Sequence, residues 1–138
     1  MSERKLVVRS LLDAVAQRDT ATLQRLLRDD VVWWAPASAV QRGLARPLRG
    51  SAAVVTLLSG AHGFFRADTT TWTVLRLIEE DGTVVAHVRR ECLTARGTPY
   101  DNEYLLRIDI VDGRIAEVWE HTDTAYANDC FAVEPPAA

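Results

Sequence analysis

Apolar positions follow two different periods along this chain. Through residue 61 they recur at helical spacing, and from residue 69 they alternate. Leu6, Val7, Leu11 and Val15 share one helical face. Ser2 opens that helix, and Glu3 lies in its first turn, where a negative charge meets the positive end of the helix dipole. Asp19 or Thr20 caps a short second helix with Leu23, Leu26 and Leu27 on its apolar face, and Asp29-Asp30 ends it. Val31–Trp34 reads as a short strand stopped by Pro36. Residues 37–50 carry Gly43, Pro47 and Gly50 and read as a loop with room for one helical turn. Ser51 caps a third helix from Ala52 to about Ala61, terminated by Gly60 and Gly63.

The alternating part predicts four long strands: Thr69–Ile78, Val84–Thr94, Tyr100–Val111 and Arg114–Thr122. Asp81-Gly82 and Asp112-Gly113 mark tight hairpins, and Arg96-Gly97 marks another turn. Asp123 then caps a last short helix through Ala127. Helices followed by an antiparallel meander define an α+β fold, and the absence of βαβ alternation argues against a dinucleotide-binding sheet. Strands this long in so small a protein predict a curved antiparallel sheet wrapped around the N-terminal helices, a cone with one internal pocket. One domain is expected over residues 1–131, with a disordered tail at 132–138 that ends Glu-Pro-Pro-Ala-Ala.

Parity sorts the strand side chains into two faces. Val85, His87, Arg89, Glu91 and Leu93 share one face of the second long strand, and Val84, Ala86, Val88, Arg90 and Cys92 share the other. On the next strand Asn102, Tyr104, Leu106, Ile108 and Ile110 form the natural interior set. The last strand mixes polar and apolar residues on both faces, so alternation does not orient Glu120 or His121. From the residues alone, Arg89 and Glu91 read either as a surface ladder of ion pairs or as polar groups of the pocket. Trp33 and Trp34 point to opposite faces, so one lines the cavity.

Charge and cysteine content narrow the function classes. A net charge of −3 offers no electrostatic footprint for nucleic acid. Cys92 and Cys130, with no Cys/His cluster, predict neither a disulfide scaffold nor a metal site. Arg42, Arg46 and Arg49 form a local basic cluster that is either a solvated loop or a rim attracting an acidic ligand. No apolar stretch approaches a membrane span and the N-terminus lacks a signal-peptide core, so the expected compartment is the cytoplasm.

Three C-terminal motifs carry a resemblance: Gly97-x-x-Tyr100-x-Asn102-x-Tyr104, Asp112-Gly113-Arg114-Ile115 and Glu120-His121-x-Asp123-Thr124. With the helical layout of the front half, they make the chain similar to the nuclear transport factor 2-like superfamily, in its SnoaL-like and ketosteroid isomerase-related branch. The resemblance spans nearly the whole chain and is more specific for fold than for activity. In ketosteroid isomerases a carboxylate stands just before the strand-ending proline and a tyrosine on the first helix. The matching places here hold Ala35 and the Leu11 region, so that route is not expected.

The pocket floor resembles that of limonene epoxide hydrolase, whose Asp–Arg–Asp row maps onto Glu91, Arg89 and Glu120. The residues that position water in that family fall at Val32 and Trp34. SnoaL-type cyclases use one pocket aspartate as base, and here Glu120, His121 and Asp123 all stand in the corresponding segment.

The resemblance thus implies Glu120, Glu91 and Arg89 as catalytic groups, with Tyr104 and Asn102 contacting substrate; strand parity adds His87, on the face of Arg89, and Trp34 as an aromatic wall. It implies acid–base chemistry without cofactor or metal on an apolar oxygenated metabolite such as a polyketide or terpenoid. Isomerisation, cyclisation, dehydration and epoxide opening all fit. A non-catalytic ligand-binding or dimerisation module is the alternative. The expected partners are a small molecule and a second copy across the sheet face, with no nucleic acid and no membrane.

Overall fold

The computed structural model describes residues 1–36, 38 and 46–132. Helix α1 (Glu3–Gln17) starts where Ser2 Oγ accepts the backbone N–H of Lys5. It stops at Arg18, which adopts a left-handed conformation and folds its guanidinium back onto the carbonyl of Phe65 at 2.6 Å. Helix α2 (Thr20–Leu26) is capped by Asp19, whose carboxylate accepts the Thr22 N–H at 3.1 Å. The chain turns extended sooner than expected: β1 spans Leu27–Trp34, so Asp29 and Asp30 lie within the strand. A two-residue strand, β2 (Leu48–Arg49), leads into α3 (Ser51–Leu58). Gly50, not Ser51, is the cap of α3, and no side chain closes that end.

Strands β3 (Thr71–Glu80), β4 (Thr83–Leu93), β5 (Pro99–Val111) and β6 (Arg114–Thr122) form the meander, and α4 (Thr124–Ala132) follows. Both Asp-Gly pairs have positive φ at the two central residues, as a tight hairpin turn requires. Among the described residues the strands form one open, curved α+β sheet in the order β2-β1-β6-β5-β4-β3. Its long strands are antiparallel, while β1 lies parallel to β6. The expected tail begins at residue 132, which closes α4; residues 133–138 lie outside the described residues.

The inner face of the sheet packs on α1 and α3. Val8, Leu11, Leu23, Val54, Val84, Val88, Ile108, Ile115 and Val118 are essentially buried there. Two bulges adjust the phase of this face. Leu75 is the extra residue in β3 against β4, and Ala116 is the extra residue in β6 against β5. The second explains why simple alternation does not orient β6: Ile115 faces the core on one side of the bulge, and Val118 and Glu120 face inward on the other. No helix among the described residues is long and apolar enough to cross a membrane.

Candidate functional site

The inner face, α1 and the 57–68 segment enclose a cavity of about 130 Å³. Its walls are largely apolar, with Leu11, Leu12, Trp33, Phe65, Trp72 and Leu106 among them. His62, Arg66 and Asp68 are exposed and form part of its mouth. Away from the mouth the polar side chains of the lining are Arg18, Arg90, Tyr100, Tyr104, Glu120, Thr70, Thr122 and Thr124.

Tyr104 and Tyr100 form the first polar unit. Inner-face parity on β5 brings both inward, with their hydroxyl oxygens 2.6 Å apart. Asn102, 5% exposed, donates from Nδ2 to the Tyr100 hydroxyl and to the Asp123 carbonyl, both at 3.0 Å. Its Oδ1 accepts the Glu103 backbone N–H. With the Tyr100 oxygen already accepting from Asn102, its own proton can go to Tyr104, which leaves the Tyr104 O–H available to the cavity. Burial pushes both phenols above the ordinary tyrosine range, Tyr104 well above it, and the Glu120 charge pushes both the same way.

This shift has a stability consequence. A group whose pKa is raised on folding contributes fully below its unfolded value and loses that contribution as the pH climbs toward the folded value. Stability should therefore begin to fall above pH about 10. The double variant Tyr100→Phe/Tyr104→Phe should show a shallower loss over that range in urea denaturation. An unchanged slope would mean the phenols do not ionise on unfolding.

The second unit is Glu120 on β6. Its Oε1 accepts the Trp33 indole N–H at 3.2 Å. The third is Arg90 on β4. Its guanidinium donates from Nε and an NH2 group to Thr70 Oγ1 at 3.3 and 3.0 Å. It lies 4.0 Å from the centroid of the Phe65 ring and 5.2 Å from that of Trp72. Among the described residues no carboxylate lies within ion-pair distance of it.

Several sequence expectations need correction. Arg89 and Glu91 do not face the cavity. Their side chains are 43% and 49% exposed on the outer face, where Arg89 makes a two-pronged bond to Asp101 and lies 3.5 Å from Glu91. The acid–arginine–acid row is therefore not formed, because adjacent strand residues point to opposite faces and Arg90 is the inward one. His87 is likewise on the outer face, bonded to Glu103 at 2.7 Å.

Trp34 also points outward. It stacks on Trp119 at 4.4 Å and donates to Glu117, and Trp33 is the cavity wall. Trp72 lines the cavity as well. Tyr104 and Glu120 line the cavity, the second an orientation that alternation left open, whereas Asn102, expected to contact substrate, is buried behind Tyr100 and is not part of the lining. Ala35 and Leu11, the two vacant isomerase positions, both border the cavity without bringing a polar group. Arg42 of the basic cluster lies outside the described residues. No group of three His, Cys, Asp or Glu side chains that could hold a metal occurs among the described residues.

An α+β cone with an apolar cavity and a few converging polar groups defines a class of small-molecule pocket proteins. The profile of the SnoaL-like domain matches residues 8–118, and the chain belongs to that family within the nuclear transport factor 2-like superfamily. A nuclear transport factor 2-like protein of unknown function from Burkholderia pseudomallei superposes with a TM-score of 0.83 at 21% identity, covering 94% of this chain and 98% of its own. TerC, crystallised with polyporic acid, superposes at 0.82 with 20% identity, covering 95% and 99%. IdmH from Streptomyces antibioticus, a candidate polyketide cyclase, superposes at 0.78 with 21% identity, covering 95% and 99%. These likenesses establish the fold. No curated protein matches the chain significantly.

Proposed function

We infer that the protein is a cofactor-free isomerase or cyclase that acts on an enolisable carbonyl compound, with Glu120 as the base. The observation that carries this is one cavity holding a carboxylate and a neutral phenol, Glu120 and Tyr104, among apolar walls. The Glu120 carboxylate would take a proton from the carbon next to a carbonyl. The C–H electron pair then forms the enolate C=C bond and the carbonyl π pair moves to oxygen. Tyr104, supported by Tyr100 and Asn102, would donate a hydrogen bond to that oxygen, a stabilisation worth most in a water-poor site. Where the substrate is β,γ-unsaturated, return of the proton from Glu120 to the γ carbon of the dienolate restores the carbonyl and gives isomerisation. Attack of the enolate on a second carbonyl of the same molecule closes a ring, the attacked π pair moving to its oxygen and the alkoxide taking back the proton held by Glu120.

Family membership supports this reading, as do the neighbours described as cyclases and isomerases. Cavity size narrows the ligand. A void of about 150 Å³ accepts benzene, so the enclosed part here suits a single ring, with any remainder in the mouth. Deuterium uptake from D2O into single-ring ketones such as phenylacetone, followed by NMR, tests the reading. Exchange faster than buffer supports it, and exchange at the buffer rate throughout a panel of such ketones overturns it.

We also propose a homodimer through the outer sheet face. The partly exposed Trp34–Trp119 stack and exposed Leu105 and Ile78 support it, because apolar surface of this kind gains from being covered. Light scattering at micromolar concentration should give twice the chain mass, and the single-chain mass would refute it.

A further inference from the structure

Arg90 is the group in the cavity that proton abstraction leaves unused. It is a permanent cation inside an apolar wall, and an isolated charge there is costly unless something balances it. What the chain supplies is partial. Thr70 accepts two of its N–H groups, and the Phe65 and Trp72 rings offer π faces to the guanidinium plane. No carboxylate among the described residues completes an ion pair with it, although Glu120 borders the same cavity. By contrast, Arg89 next to it in sequence has its full two-pronged partner, Asp101, in solvent.

The cavity as a whole leans the same way. Among the described residues its lining holds three arginines, Arg18, Arg66 and Arg90, against two carboxylates, Asp68 and Glu120. The chain overall carries a net charge of −3. The described lining is thus net positive in a negatively charged protein, an arrangement that draws in anions.

We propose that the Arg90–Thr70 corner, between the rings of Phe65 and Trp72, is an anion subsite that holds a planar oxyanion carried by the substrate. The ligand class is then an aromatic or conjugated acid, either a carboxylate or an ionised phenol. Its charged oxygens meet the guanidinium of Arg90, and its ring packs on the apolar wall. The inference rests on this cavity being the ligand site and adds the charge state of what enters. It also separates two tasks: Arg90 holds a charge that is present throughout, whereas Tyr104 meets one that develops during reaction.

Calorimetric titration with size-matched pairs tests it: benzoate against benzamide, and 4-nitrophenolate against nitrobenzene. The two pairs distinguish a carboxylate from a phenolate source. The anion of at least one pair should bind about 10- to 100-fold more tightly than its neutral partner, as a charge-assisted hydrogen bond provides. Arg90→Met should abolish the preference, and Arg90→Lys should keep part of it, since the charge survives without the planar fork. Equal affinity within both pairs, or no binding by any of the four at millimolar concentration, overturns the proposal. So does a preference that survives in Arg90→Met. If Arg90→Met does not fold, the wild-type preference and its weakening in Arg90→Lys decide the matter.

Glu120→Gln should keep the anion preference and tighten benzoate, because a like charge leaves the cavity. Anion binding without proton exchange would therefore refute only the catalytic role of Glu120. Exchange without anion preference would refute only the subsite.

Discussion

Replacing Glu120 with Gln lowers the rate of proton exchange, and of turnover once a substrate is known, by about 10²–10⁴-fold, the usual contribution of a positioned general base. Gln keeps an oxygen where Oε1 accepts the Trp33 indole N–H, so the wall of the cavity retains its hydrogen bond. Thermal unfolding of the variant should match wild type closely. Arg89→Met is the matched control: it removes an outer-face charge near the same strands and should leave exchange unchanged. Wild-type exchange in Glu120→Gln would remove the base from the scheme and leave a ligand-holding module without chemistry.

The largest stability effect should come from Ile108. It lies on the inner face between Val84 and Val118, its partners on the two neighbouring strands, and is fully buried. Ile108→Ala should cost about 2–5 kcal/mol, because strands paired on both sides resist collapse into the space left behind. A fall in melting temperature on the order of 10 °C corresponds to this. Leu106→Ala should cost less. That side chain borders a cavity already present, so part of its contact surface is unpacked before the change. Calorimetric melting of the two variants checks the order, and a larger loss at Leu106 would mean that the cavity wall is packed as tightly as the core.

Much of this molecule is legible in residue order. The change of period separates the helices from the sheet, Ser2 and Asp19 cap their helices as their side chains predict, and both Asp-Gly pairs form the hairpins they signal. The inward set on β5 is also readable, because Asn102 and Tyr104 share parity with Leu106, Ile108 and Ile110. The site is less legible, and the reason is parity. On β4 the apolar set Val84, Ala86, Val88 and Cys92 is the buried one, and Arg90 travels with it. A single-residue difference in assumed register exchanges Arg90 for Arg89 and turns a cavity cation into a surface one.

The pairing of Arg90 with Asn102 across the strands would have settled the choice, given that Asn102 faces inward. For Trp33 and Trp34 no such signal exists. Val31 pairs with one and Val32 with the other in parity, and both sets look equally apolar. Tyr100 was visible in its motif, but its partnership with Tyr104 depends on two residues two pleats apart reaching the same point, which only the sheet's geometry reveals.

The bulge at Ala116 divides β6 into two lengths with independent phase. Upstream, the demand is simply to seal the hydrophobic base of the cone with Ile115; downstream, Val118 and Glu120 answer to the requirements of a binding chamber. Since neither length dictates the parity of the other, the chamber end is open to chemical revision while the base stays sealed. One surplus residue thus lets a single strand serve as both foundation and workbench.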